Sequence, residues 1–185
     1  MLKSLARALL KLFGWTVIDV PERPVRAVLV GYPHTSNWDG VIALLTKLAL
    51  GLDAHWVGKD SLFRWPIGGL FRRLGGIPID RSARNGFVAD MAAQFSTRPE
   101  FLLVIAPEGT RSLTQGWKSG FYRIALAAKV PVALAFVDYS RREAGILTYL
   151  TMTGDPAINV AAIASHYESR CGKYPELAAP IRWLA

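Results

Sequence analysis

Val28-Leu-Val-Gly-Tyr-Pro-His34-Thr-Ser-Asn-Trp-Asp39-Gly-Val-Ile-Ala-Leu-Leu45 reads as a buried strand, a sharp polar loop and an apolar helix. Residues 26–30 form a short, β-branched-rich stretch of the kind found in parallel sheets covered on both faces. Tyr32-Pro33 ends it, because proline has no N–H to give to a ladder. Ser36 and Asn37 are good N-cap types, and a helical pattern runs from Trp38 to Leu50. His34 is therefore expected at the carboxyl end of a strand and Asp39 in the first turn of the next helix. In open α/β sheets that edge is where ligands bind.

His34 and Asp39 are five positions apart, which on one continuous helix points them in different directions. With a loop at His34 the chain can fold back so that the carboxylate meets the imidazole. Such a carboxylate accepts one ring N–H, fixes the tautomer and raises the basicity of the other nitrogen. That nitrogen can then take a proton from a hydroxyl or thiol. A plainer reading fits as well: Ser36-x-x-Asp39 ahead of an apolar run is a capping box, with His34 an ordinary loop residue. Both readings stand at this point.

Outward from this stretch, 185 residues predict one domain able to bury its own core without disulfides. The single cysteine, Cys171, excludes a disulfide framework and suits a reducing, cytoplasmic setting. It has no nucleophile signature around it. Lys and Arg outnumber Asp and Glu by 22 to 14, which favours anionic partners. Six Trp, eight Phe and a positive mean hydropathy turn that preference toward a membrane surface rather than nucleic acid, for which no motif is present. No segment approaches the ~20 apolar residues of a membrane span. Lys3, Arg7 and Lys11 interrupt what would otherwise be a signal-peptide core.

Residues 1–15 read as an N-terminal amphipathic unit and residues 16–185 as a single domain. Over 2–13, Lys3, Arg7 and Lys11 recur on one face, and Leu2, Leu5, Leu9, Leu12 and Phe13 on the other. That is the pattern of a helix lying in a membrane interface, or of one docked on the core with a solvated basic face. Residues 54–58 predict a second strand. Lys59 to Arg73 mixes Leu62, Phe63, Trp65, Leu70 and Phe71 with Lys59, Arg64, Arg72 and Arg73, and is broken by Pro66 and Gly68-Gly69. It suits either an interface patch or core aromatics.

Further strands are expected over 75–81, 101–105, 130–137 and 146–152, the last toward an edge. Helices are expected over 85–95, 121–129 and from Pro156 to about His166, with a short helix at the C-terminus. Strands end near polar loops at His34, Lys59, Arg81 and Glu108. The fold class is α/β, a mostly parallel sheet flanked by helices. In the loop Ala106-Pro-Glu108-Gly109-Thr110-Arg111-Ser112, Gly109 permits close backbone approach, Thr110 can donate, and Arg111 can fork onto a phosphate. His55 and His166 have no metal-ligand partners at suitable spacing, so no metal site is expected.

Four stretches, His34-x4-Asp39, Gly76-Ile-Pro-Ile-Asp-Arg81, Glu108-Gly-Thr-Arg111 and Val130-Pro-Val-Ala-Leu, together resemble the four ordered blocks of the glycerolipid acyltransferases. The resemblance spans residues 28 to about 137. Ala106, Leu134 and Ser61 depart from residues often found in that family. The likeness implies a glycerol-3-phosphate acyltransferase-like fold and transfer of an acyl chain from an acyl-coenzyme A or acyl-carrier-protein thioester to a lysolipid hydroxyl. It implies His34 and Asp39 as the catalytic pair, Arg81, Glu108, Gly109, Thr110 and Arg111 as acceptor-binding residues, no resident cofactor, and a peripheral position on the cytoplasmic face of an anionic membrane. A non-catalytic lipid-binding protein on the same fold remains the alternative.

Overall fold

The computed structural model describes residues 2–79 and 86–184. In chain order the elements are α1 (Leu2–Leu12), β1 (Thr16–Ile18), β2 (Arg26–Gly31), α2 (Asn37–Leu50), β3 (Ala54–Lys59), α3 (Gly68–Arg73), β4 (Gly76–Ile79), α4 (Phe87–Thr97), β5 (Phe101–Ile105), α5 (Gly120–Ala128), β6 (Val132–Asp138), β7 (Glu143–Leu150) and α6 (Pro156–Tyr167). The strands form one sheet in the order β1-β7-β6-β2-β5-β3-β4. All neighbours are parallel except β6 and β7. The fold is α/β, a mostly parallel sheet between helical layers.

The alternation of β2 sorts its side chains onto two sides. Val28 and Val30 face a core with Leu103, Phe121, Ile124, Val132 and Leu134, under α4, α5 and α6. Ala27 and Leu29 face the other side, with Ala54, Leu102, Ala133 and Ile146. Across that second side α2 lays Ile42 and Ala49 against Ala6 and Leu10 of α1. Lys3 lies against Gly51 at the end of α2, and the Arg7 Nε–H donates to Ala49 O at 3.0 Å. The two helices therefore run in opposite senses. Right-handed crossovers place α2 and α3 on the same side of the sheet. The Lys47 ammonium, donating to Leu74 O at 3.0 Å, ties them together.

Several expectations change. β6 begins at Val132, because Lys129 turns left-handed (φ 53°) and the Val130 N–H returns to Ala125 O, closing α5. β7 begins at Glu143 and is interior, because β1, which the sequence did not reveal, covers its far edge with Thr16 opposite Glu143. Of the strand expected at 75–81 and the helix expected at 85–95, positions 80, 81 and 85 lie outside the described residues; the described parts are β4 over 76–79 and α4 over 87–97. The expected C-terminal helix is a single 3-10 turn, Pro175–Leu177, after which the chain is irregular and Trp183 bridges to Trp117. Pro180 would interrupt a helix continued from there. Among the described residues, no helix is long and apolar enough to cross a membrane.

Candidate active site

β2, β5 and β6 are mutually parallel, so the loops after Gly31, Ile105 and Asp138 emerge on one edge of the sheet. The first holds His34 at the N-terminus of α2. Ser36 is the N-cap, with extended backbone, and its hydroxyl accepts from the Trp38 N–H at 3.2 Å. Asp39 Oδ2 accepts from the N–H groups of Thr35 and Ser36, both at 2.8 Å, completing a capping box. The same Oδ2 lies 3.4 Å from His34 Nδ1. The cap and the histidine–carboxylate pair are thus one arrangement, and the first fixes the geometry of the second.

The other oxygen, Oδ1, accepts the Tyr139 hydroxyl at 2.8 Å. Burial alone would push the Asp39 carboxyl up. Hydrogen bonds from His34, Ser36, Tyr139 and Thr35 outweigh it and hold the group below its ordinary value. Asp39 is therefore a buried, ionised carboxylate with four donors around it. Tyr139 is itself pushed well up, first by burial and then by its hydrogen bond to Asp39, so it remains a donor. It is the first residue after β6, and that position is the signal that could have found it: a polar residue one step past the carboxyl end of a parallel strand lands on this edge.

The second loop turns Glu108 inward, to 1 % exposure. Its Oε2 accepts the His34 backbone N–H at 2.8 Å, and its Oε1 accepts the Ala179 N–H at 2.9 Å. Burial pushes its carboxyl up to about 7, against the pull of these two donors. Gly109 adopts φ +69°, and a Cβ there would sit 2.9 Å from Lys118 Nζ. Glycine takes this left-handed turn without strain, and a Cβ there would push the flexible end of Lys118 aside. The Thr110 hydroxyl accepts from the Ser112 N–H at 3.3 Å, and Thr110 and Arg111 face solvent. Arg111 makes no ion pair among the described residues. Arg81 lies outside the described residues.

A third segment closes on the edge from the C-terminal side. The Tyr139 N–H donates to Cys171 O at 2.9 Å. Gly172 packs so closely that a Cβ would meet the Thr35 hydroxyl at 2.8 Å, and the Tyr174 N–H donates to that hydroxyl at 3.2 Å. Lys173 Nζ lies 5.4 Å from the centroid of the Trp38 ring. The Tyr32 hydroxyl donates to Ala179 O at 3.0 Å. The Cys171 thiol points to Gly172 O at 3.6 Å. Among the described residues no cluster of His, Cys, Asp and Glu is arranged to hold a metal ion.

Such an edge can deprotonate a hydroxyl: a histidine oriented by an ionised carboxylate beside an exposed arginine and lysines. Comparison with solved structures finds the same fold in the crystal structure of the 1-acyl-sn-glycerophosphate (LPA) acyltransferase PlsC from Thermotoga maritima. The TM-score is 0.62 at 15% identity, over 93% of this chain and 80% of that one. No curated protein sequence matches this chain. The family model described as Acyltransferase matches residues 11–134, about two thirds of the chain, and includes His34, Asp39 and the Glu108–Arg111 loop. Tyr139 and the segment from Cys171 to Ala179 lie beyond that match. The chain belongs to the acyltransferase family.

Proposed function

We propose that this acyltransferase moves a fatty acyl chain from an acyl-coenzyme A or acyl-carrier-protein thioester to the free hydroxyl of a lysophospholipid, with 1-acylglycerol-3-phosphate as the first candidate acceptor. One observation carries the reading: Asp39, buried and ionised, lies against His34 Nδ1 at the carboxyl edge of the sheet. The acceptor O–H gives its proton to His34 Nε2 while its oxygen attacks the thioester carbonyl. The tetrahedral intermediate collapses, the C–S bond breaks, and the departing thiolate takes the proton back from His34. This sequence needs no resident cofactor and no acyl-enzyme. Arg111, and Arg81 by the family resemblance, would hold the acceptor phosphate. Glu108 supports the His34 backbone.

We place the chain on the cytoplasmic face of an anionic membrane, where a lysolipid resides. The exposed Leu2, Leu5, Leu12 and Phe13 on α1, beside exposed Lys3 and Lys11, support that placement. The test is a product screen: purified protein, acyl-coenzyme A or acyl carrier protein, and a panel of lysolipids, read by mass spectrometry. A diacyl product from a phosphate-bearing acceptor is expected, with none from His34→Ala. Product from no lysolipid with either donor would overturn the reading and leave a lipid-binding protein.

A further inference from the structure

We propose that the segment between β3 and β4, centred on Trp65, is a second bilayer-insertion element that turns the His34 edge of the sheet toward the lipid. The side chains of β3 point the way. Trp56 shares a face with Ala54, and Phe63 and Phe71 pack on Trp56 with ring centroids 5.5 and 5.7 Å away. Phe63 and Phe71 therefore root the segment on the α1–α2 side of the sheet. Their neighbours in the segment do the opposite: Trp65 is 93% exposed, and Leu62, Ile67 and Leu70 are between 44% and 56% exposed. Soluble surfaces rarely leave a tryptophan and three aliphatic side chains together in water.

The position matters as much as the chemistry. β3 is parallel to β5, and β5 to β2, so the segment leaves the sheet at the edge that carries His34. Among the described residues, large exposed apolar side chains are unequally shared between the two helical layers. Ten lie on α1, α2 and the 60–73 segment, including Phe13 just after α1, against two, Leu126 and Ile158, on α4, α5 and α6. One side of the protein is thus apolar at its surface. Lys59, Arg72 and Arg73 stand exposed in the same segment with no carboxylate in ion-pair range among the described residues, while its one acidic residue, Asp60, lies 3.6 Å from Arg64. A tryptophan and aliphatic side chains in a segment with a net excess of exposed cations fit the headgroup boundary of an anionic bilayer.

The binding test stands apart from the proposed acyl transfer, and only its activity arm rests on that reading. Wild type and Trp65→Ala, both full-length, are titrated with vesicles of phosphatidylglycerol and phosphatidylethanolamine, and with phosphatidylcholine vesicles. The variant should bind the anionic vesicles about tenfold more weakly. Brominated acyl chains should quench a component of the tryptophan fluorescence that Trp65→Phe lacks. Turnover of a vesicle-borne acceptor should fall while that of a soluble short-chain acceptor is kept. Unchanged vesicle affinity together with no Trp65-dependent quenching overturns the proposal. Unchanged vesicle affinity with turnover lost only for carrier-protein donors also overturns it, and makes the segment a contact for that acidic protein. Absence of acyl transfer in wild type would sink the proposed function while the vesicle titration still decides this one.

Discussion

The Tyr139 hydroxyl donates to Asp39 Oδ1 at 2.8 Å across a separation of 100 residues. The bond leaves Oδ2 to the loop N–H groups and His34, so it orients the carboxylate as well as stabilising its charge. Tyr139→Phe removes only the donor, because the ring keeps its edge contact with Trp15 at 5.2 Å. The expected result is a fall in kcat of about tenfold with little change in either KM. The acid limb of the rate profile should move to higher pH, because an Asp39 with one donor fewer attracts the shared proton more strongly. A variant with wild-type kcat and an unmoved profile would reduce Tyr139 to packing.

His34→Ala should lower acyl transfer by about 10²–10⁴-fold, the usual contribution of a general base. Asp39→Asn should come close to that loss. It keeps an oxygen for the Thr35 and Ser36 N–H groups but lacks the charge that supports an imidazolium. Its cost in stability should be small, about 1 kcal/mol, since the amide oxygen can keep those two backbone hydrogen bonds. Turnover by Asp39→Asn equal to wild type, with melting unchanged, would leave Asp39 as a cap alone.

Glu108 links the site to the stability of the fold. Its carboxyl titrates near 7 in the folded chain, against about 4.5 when unfolded. Between those values the folded state holds a proton that the unfolded state has lost, so this stabilising contribution is complete below about 4.5 and disappears as pH rises through about 7. The full swing is roughly 3 kcal/mol. Glu108→Gln stays neutral and has no such term. The difference in melting temperature between wild type and variant should therefore shift against wild type from pH 5 to pH 7.5. A pH-independent difference would show that Glu108 does not titrate in this range.

Local pattern made the middle of the sheet legible and left its margins unread. β2, α2 and β5 end at proline, capping or glycine signals that act within a few residues, so their limits follow from sequence. β1 has three residues and exists because Thr16 pairs with Glu143, a partner no local pattern announces. The site divides in the same way. His34 and Asp39 are legible because the loop and cap joining them are local. The partners of Asp39 and Glu108 at Tyr139 and Ala179 come from strands and tails brought in by the tertiary fold. A glutamate in a polar loop suggests an outward, substrate-facing group; the burial of Glu108 depends on the Ala179 segment folding over it.

Arg111 offers a test of which substrate meets the Glu108–Arg111 loop. Its exposed guanidinium has no carboxylate partner among the described residues. Arg111→Lys keeps the charge and loses the planar fork that takes two phosphate oxygens at once. KM for the acceptor should rise about tenfold with KM for the donor unchanged. A rise confined to the donor would move Arg111 to the coenzyme side of the site.

The packing of α1 dictates how its membrane role is tested. Ala6 and Leu10 are buried against Ile42 and Ala49, so deleting the helix would open the core and confuse binding with folding. Leu5, Leu12 and Phe13 are instead more than half exposed and lie outside that core cluster. Replacing these three with serine should leave the melting temperature within a few degrees of wild type. It should weaken binding to anionic vesicles by at least about a hundredfold, since each apolar side chain entering the acyl boundary contributes separately. High salt should weaken wild-type binding only in part, because it screens Lys3 and Lys11 and leaves the apolar contribution intact. Turnover should fall for a vesicle-borne acceptor and hold for a soluble short-chain one. If the triple variant sediments with vesicles as wild type does, α1 is simply a helix of the core, and the membrane contact must be carried by the Trp65 side of the same face.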